Sequence, residues 1–292
     1  MGEAAALIAA FSWSASSVAM TSLAARVSPA AISTIRLLIA SLAMPVILVA
    51  AGQTGDLADA PASAVWAMVG SGILAYAIGD TLYIAALARL GIQRAFTVTM
   101  TLFILLSVAG GILLLDERFR WYQVIGALLV GSGILFIVRS RTGASSAAPR
   151  LDRVGFLMVA GVGVTWAAAT LWLADARAGL GAIPASAIRT PAGAVGMLAF
   201  MLVFQPADLK AAVTNRGVVV ALASLGMLST VFGSLLYVYA IGEAGAGRTT
   251  VLNATSPLLA LPLSVIFLKE RVTRRTIAGT ALAVGGIVLV VV

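Results

Sequence analysis

Long apolar runs alternate with short polar ones along the whole chain. Runs of about 20 apolar residues occur at 4–23, 30–50, 64–88, 93–115 and 121–138. After a polar stretch rich in Ser, Ala and Arg they resume at 154–174, 183–204, 217–241, 247–268 and 274–292. About 20 apolar helical residues cross the hydrocarbon of a bilayer. The pattern therefore predicts an all-α integral membrane protein with ten transmembrane helices. No basic segment precedes the first run, which carries Ser12, Ser14, Ser16 and Ser17 mid-span, so it reads as a retained helix rather than a cleaved leader.

The second set of runs repeats the first. Gly79 matches Gly233, Tyr83 matches Tyr237 and Arg94 matches Arg248, each 154 residues apart. Trp13 with Trp166, Arg36 with Arg189, Glu117-Arg118 with Glu270-Arg271, Gly126 with Gly279 and Gly133 with Gly286 are 153 apart. Soluble solenoids repeat every 20 to 50 residues, so this period describes two fused domains instead. The expected division is a first repeat at 1–140, a cytoplasmic linker at 141–153 and a second repeat at 154–292. Five spans per repeat is an odd number, so homologous halves enter the membrane from opposite sides. The expected architecture is two inverted five-helix repeats around a shared midplane site.

Composition agrees: 61% of residues are apolar and only 10% charged, against about 25% charged in soluble domains. Mean hydropathy is +1.07. Cysteine and histidine are absent, which removes disulfides, thiolate chemistry, imidazole metal ligands and histidine proton relays. No cofactor is expected.

The net charge of +8 resembles a nucleic-acid signal until the basic residues are located. They sit in short loops between spans, where they report topology rather than a nucleic-acid surface. The loops after helices one, three, five, seven and nine hold thirteen Lys and Arg, and the opposite loops hold Arg118, Arg120, Arg177 and Arg248. The positive-inside rule makes the first set cytoplasmic, with both termini on the other, periplasmic side.

Two arginines lie inside spans, Arg36 and Arg189, and a charge near a helix centre costs about 2.5–3.5 kcal/mol on insertion scales. Asp80 is the acid deepest inside a span. Counted from the cytoplasmic ends of their helices, Arg36 and Asp80 reach similar depths at 1.5 Å per residue, so a structural ion pair is one reading. A site for a coupling proton or a substrate amine is the other. Ser234 stands at the position equivalent to Asp80, leaving Arg189 without a matching acid. Arg189 then either snorkels to the interface or meets carbonyls, hydroxyls or a substrate anion.

The remaining candidate substrate contacts are hydroxyls, an amide and aromatics within the spans: Trp13, Ser16, Tyr76, Tyr83, Thr99, Trp166, Thr170, Tyr237, Asn253 and Ser256. Trp13 with Trp166, and Tyr83 with Tyr237, would supply symmetric apolar walls. The alternative for the aromatics is an interfacial belt, and for the hydroxyls a bond to a carbonyl one turn back. Pro257, after Asn253 and Ser256, frees a carbonyl in helix nine and is a candidate mobile point. Glu117-Arg118 and Glu270-Arg271, at the ends of helices four and nine, are either interfacial pairs holding a loop or gate latches. The glycines of helices five and ten mark close-packing seams of a scaffold.

A tryptophan in helix one, Arg36 followed by Leu37, Leu38, Ile39 and Ala40, a tyrosine before an alanine in helix three, a proline in helix nine and a glutamate before a glycine-rich last helix occur in order, and the tryptophan, arginine, tyrosine and glutamate recur in the other half. In these residues the chain resembles the EamA-type branch of the drug/metabolite transporter superfamily, close to its amino-acid and aromatic amino-acid exporters. The resemblance implies a ten-helix carrier of the bacterial inner membrane that exports amino acids or related metabolites, from a cavity lined by helices one, three, four, six, eight and nine. An exporter of drugs or of other metabolites with the same fold is the alternative, and a proton the candidate coupling ion. Helix four lacks a proline matching Pro257, a departure from the family pattern. A channel would require a repeated filter, and an intramembrane enzyme a nucleophile with its base, a metal triad or paired aspartates. None of these is visible, so the chain is not expected to be an enzyme.

Overall fold

In the computed structural model, residues 1–24, 26–141, 152–256, 258–259, 262–263 and 274–292 are described. Pro257, Glu270 and Arg271, and most of the linker, lie outside them. The described residues are helical with no strand. The helices are α1 (Gly2–Ala24), α2 (Pro29–Ala50), the short α3 (Thr54–Ala58), α4 (Ala62–Gly72), α5 (Thr81–Leu114), α6 (Trp121–Arg141), α7 (Arg153–Ala176), α8 (Ala182–Phe204), α9 (Pro206–Thr214), α10 (Arg216–Gly226), α11 (Ser234–Ala244), α12 (Ala246–Asn253) and α13 (Arg274–Val291). π-helical turns at Ile73–Asp80 and Met227–Gly233 join α4 to α5 and α10 to α11.

Five described segments are long and apolar enough to cross a membrane: Pro29–Ala50, Ala62–Ala86, Arg153–Ala176, Ala182–Phe204 and Arg216–Ala244. Val98–Leu114, Trp121–Phe136 and Ile277–Val291 are shorter apolar helices. Their outer faces leave large apolar side chains such as Leu42, Val49, Leu113, Leu157 and Val203 uncovered, as a lipid-facing surface does.

The sequence separates spans at 64–88 and 93–115, yet α5 is one helix of 34 residues. A straight helix of that length would reach about 51 Å, well beyond the roughly 30 Å hydrocarbon core. Contacts along α7 show where the chain turns. Leu90 lies against Gly155 at the start of α7, Leu82 and Leu102 lie against Gly161 and Gly163, and near the far end Gly70 meets Trp172 and Gly110 meets Leu171. Residues 70–90 thus run back along α7 and residues 90–110 run forward, so the reversal falls near Leu90. In the second half the equivalent reversal sits at Gly245, whose φ of 85° is a conformation that a side chain would strain.

Equivalent helices of the two halves point in opposite directions. The start of α1 lies beside Glu243 and Ala244, and α7, its counterpart, starts beside Leu90 at the other end of the bundle. We call these the terminal end and the linker end. Counterparts α6 and α13 also cross in reverse, Gly126 against Gly286 and Gly133 against Gly279. Their backbones approach so closely that a Cβ at Gly133 would lie 2.5 Å from the Gly279 carbonyl oxygen, and one at Gly286 2.6 Å from that of Gly126. Lipid supplies no hydrophobic drive between helices, so such close packing is what holds them. The α2–α8 pair gathers Ala31, Ile35 and Leu37 with Ala194, Met197 and Met201 in one core.

Gly131, in contrast, has open space at its Cβ position. Gly133→Ala should therefore destabilise the protein by about 1–3 kcal/mol through overpacking, whereas Gly131→Ala should be neutral or stabilising by up to about 1 kcal/mol through helix propensity. Thermal unfolding of both variants in detergent, followed by size-exclusion recovery, measures the contrast.

Candidate functional site

The two π-helical turns sit 154 residues apart at their starts, Ile73 and Met227. Such turns are rare and are found frequently at functional sites. Here each receives an indole from the opposite half. Trp13 Nε1 donates to the Ser229 carbonyl at 2.7 Å and Trp166 Nε1 to the equivalent Ala75 carbonyl at 3.2 Å. Gly233 and Gly79 make room, since a Cβ there would stand 2.8 Å and 2.5 Å from the indole nitrogens. The recurring glycines of helix three are thus seats for the recurring tryptophans of helix one.

Each indole also stacks on a tyrosine of the opposite half. Trp13 and Tyr237 have ring centroids 5.4 Å apart, tilted by 46°, and Trp166 and Tyr83 5.3 Å apart, tilted by 48°. Phe103 completes the second cluster, edge-on to Trp166 at 6.0 Å. These aromatics lie within the bundle, not in a belt at its ends. Because the indole nitrogens are committed to carbonyls, their first role is to lock the halves together.

The arginines follow the same cross-repeat rule. Arg36 donates to the hydroxyls of Ser229 at 2.6 Å and Thr230 at 3.1 Å. Arg189 donates to Ser71 Oγ at 3.0 Å and to the Tyr76 hydroxyl at 2.8 Å, and its guanidinium lies 4.8 Å from the Tyr76 ring centroid. Gly72 lets the α8 backbone close onto α4 at this point, where a Cβ would stand 2.2 Å from the Arg189 carbonyl oxygen. Arg189 is only 5% exposed, so it does not snorkel. Among the described residues the ion pairs within 4.0 Å are Met1–Glu3 and Arg89–Asp152. Arg36 and Asp80 therefore interact across a longer distance than a direct pair, and Arg189 has no described carboxylate at contact distance. Asp80 lies beside Trp166 and within the field of both arginines.

Among the other candidates, Thr170 and Tyr237 share a hydrogen bond of 3.0 Å, and Ser256 bonds back to the Asn253 carbonyl at 2.7 Å. Ser16 Oγ, Thr99 Oγ1 and Asn253 Oδ1 are buried with no hydrogen-bond partner, a rare condition for a polar atom inside a protein. Thr99 and Asn253 occupy equivalent positions 154 residues apart. The two clusters differ in exposure: Tyr237 and Ser234 are 5% and 4% exposed, whereas their counterparts Tyr83 and Asp80 are half-buried. Ser71 and Ser229 were not among the sequence candidates. Their signal was the arginine repeat itself, since each buried guanidinium requires nearby acceptors.

At the terminal end, Glu117 crosses to the other half. Its Oε1 accepts from the Ala246 amide and its Oε2 from the Gly247 amide, the latter at 3.0 Å. Burial is the larger effect on this carboxyl and holds it above its usual range, while the two amide bonds and Arg248 act in the opposite sense. Arg118, which follows it, gives its carbonyl to Arg248 at 3.3 Å. At the linker end, Arg89 holds Asp152 with bonds of 2.9 and 3.2 Å, and Asp152 also caps α7 by accepting from the Gly155 amide.

The sequence model of the EamA-like transporter family matches residues 1–139 and again 153–292. The chain belongs to the EamA-like transporter family. It is 25% identical over 268 residues to an uncharacterized transporter of Archaeoglobus fulgidus, covering 90% of this chain and 89% of that protein. A crystal structure of a protein 20% identical shares the fold, with a TM-score of 0.83 over 99% of this chain and 94% of the other. This EamA-like transporter is thus a multi-pass membrane protein, and its paired clusters are built on helices that both family matches contain.

The Arg89–Asp152 tie carries a pH dependence of known sign. The Arg89 guanidinium, then the Gly155 amide, hold the Asp152 carboxyl below its usual range. Its contribution is therefore complete above the ordinary carboxylate value and is lost as pH falls through the lowered one. Asp152→Asn in the EamA-like transporter should abolish that acid-side slope in thermal unfolding between about pH 2 and 7, with little change at neutral pH because the pair is exposed.

Proposed function

We propose that this EamA-like transporter is a secondary carrier of the bacterial cytoplasmic membrane that exports amino acids or similar small metabolites. Its ten helices form two inverted repeats, residues 1–140 and 154–292, that rock about a midplane site. The linker end, with 141–153, faces the cytoplasm by the positive-inside rule. The observation that carries this reading is Arg189: a nearly buried guanidinium that, among the described residues, is held at contact distance by hydroxyls and an aromatic face. A buried charge that the Asp80 carboxylate reaches only through its field is costly, and an anionic group arriving with the substrate relieves it.

In this reading the substrate's carboxylate meets Arg189, with Tyr76 and Ser71 orienting the guanidinium. Asp80 faces an ammonium group or a coupling proton, and Arg36 sets the field around it. Ser16, Thr99 and Asn253 offer their unpartnered atoms as further contacts, with Thr170 and Ser256 beside them. Trp13, Tyr237, Trp166 and Tyr83 wall the site from both repeats. Glu117, Arg118, Pro257, Glu270 and Arg271 are the gating residues.

Counterflow in proteoliposomes across a panel of amino acids, with and without a proton gradient, identifies the cargo. Arg189→Ala should then raise KM for carboxylate-bearing substrates about tenfold or more, the scale of one lost charge-assisted hydrogen bond of about 1.5–3 kcal/mol. Membrane insertion should stay normal and Arg189→Lys should recover part of the loss. An unchanged KM removes Arg189 from the substrate site.

A further inference from the structure

The loop between α5 and α6 does more than connect two helices. Asp116 takes a φ of 52°, a left-handed conformation that costs about 1 kcal/mol or more in a residue with a side chain. Just past it, Glu117 keeps its amide on the Gly111 carbonyl of α5 at 2.9 Å, while its carboxylate reaches the first turn of α12, which belongs to the other repeat. Three glycines surround the carboxylate: a Cβ at Gly111 would lie 2.6 Å from Oε2, one at Gly245 2.7 Å from Cδ, and one at Gly247 3.1 Å from Oε2. A carboxylate at a helix N-terminus satisfies amides that would otherwise lack partners and meets the positive end of the helix dipole.

Around this contact the loop closes further. Arg248 reaches the Arg118 carbonyl and Gln123 Oε1, each at 3.3 Å, and stands 5.8 Å from the Phe119 ring centroid. Gln123, in the first turn of α6, in turn donates to the Val290 carbonyl at 3.3 Å, which ties the start of α6 to α13. Behind the clasp, Thr249, Thr250, Val251 and Leu252 are fully buried.

We propose that this clasp, the Glu117 carboxylate seated on the amides of Ala246 and Gly247, is the gate that holds the terminal end of the bundle closed, and that it must release for that end to open. The inference rests on the carrier reading above and adds the specific contact by which one repeat holds the other. The Arg89–Asp152 pair does not oppose it from the other end as an equal, because that pair is exposed and weak by comparison.

The chain contains no cysteine, so Thr250→Cys, one turn beyond the clasp in α12, gives a clean reporter. The measurement is the rate at which a charged, membrane-impermeant maleimide labels that cysteine in the reconstituted full-length protein. Glu117→Ala and, from the other side of the contact, Gly247→Ala should each speed labelling about tenfold, the factor that 1.4 kcal/mol represents. Arg89→Ala should leave the rate unchanged. Gly247→Ala keeps the test decisive should Glu117→Ala fail to fold. Rates unmoved by both clasp variants, or raised as much by Arg89→Ala, overturn the proposal. Labelling requires no substrate, so failure here leaves the carrier reading intact, and absence of counterflow leaves the clasp result intact.

Discussion

Inside a membrane no water is available to pair a polar group, so each one must find its partner in the protein. In this chain those partners lie largely in the opposite repeat. The indoles of Trp13 and Trp166 each take a carbonyl from the other half's π-helical turn. Arg36 and Arg189 each take hydroxyls from the other half's third helix, and Glu117 takes amides from the other half's α12. Other polar groups pair within their own half, as Thr170 does with Tyr237, but the indoles, the two arginines and Glu117 depend on the opposite half, and that mutual dependence ties the halves together. These cross-repeat contacts gather several of the buried polar groups at the surface where the halves meet.

Symmetry in the contacts makes their exceptions informative. Asp80 and Ser234 stand at equivalent places, as do Tyr76 and Thr230, so the two arginines see different surroundings. Arg189 is nearly buried against Ser71 and Tyr76, whereas Arg36 is half-buried beside two hydroxyls and within the field of Asp80. A duplicated domain supplies two equivalent frames, and divergence at a few positions within them is sufficient to give the site a polarity. The tighter packing around Tyr237 and the Glu117 clasp lie toward the terminal end, while the more open cluster of Asp80 and Tyr83 lies toward the linker end.

Much of this is legible in the amino-acid sequence. The offset of 153 or 154 residues paired Trp13 with Trp166 and Arg36 with Arg189, and the apolar runs marked where helices would lie. Periodicity reads neighbours along one helix, however, and is blind to which helix of which repeat comes alongside. So Tyr83 and Tyr237 were visible as a pair of equivalents, but their stacking on the tryptophan of the other half was not. A direct Arg36–Asp80 pair looked natural from depth alone, yet the guanidinium turns to Ser229 and Thr230, hydroxyls brought near by the other repeat. The reversal inside α5 was expected at a loop, and helical geometry instead continues through it near Leu90. The π-helical turns leave no mark in hydropathy, although the glycines at 79 and 233 were the visible trace of the indoles they admit.

Opposed orientation of the two repeats is the premise on which the shared site, the paired arginines and the cross-repeat clasp all depend. It is tested most directly by the sidedness of two single cysteines, Ser146→Cys in the linker and Val292→Cys at the end of the chain. Both would be probed with an impermeant maleimide in intact cells and in inverted vesicles. The account predicts that the two label from opposite sides of the membrane, residue 146 from the cytoplasm and residue 292 from the far side. Labelling of both from the same side would contradict it.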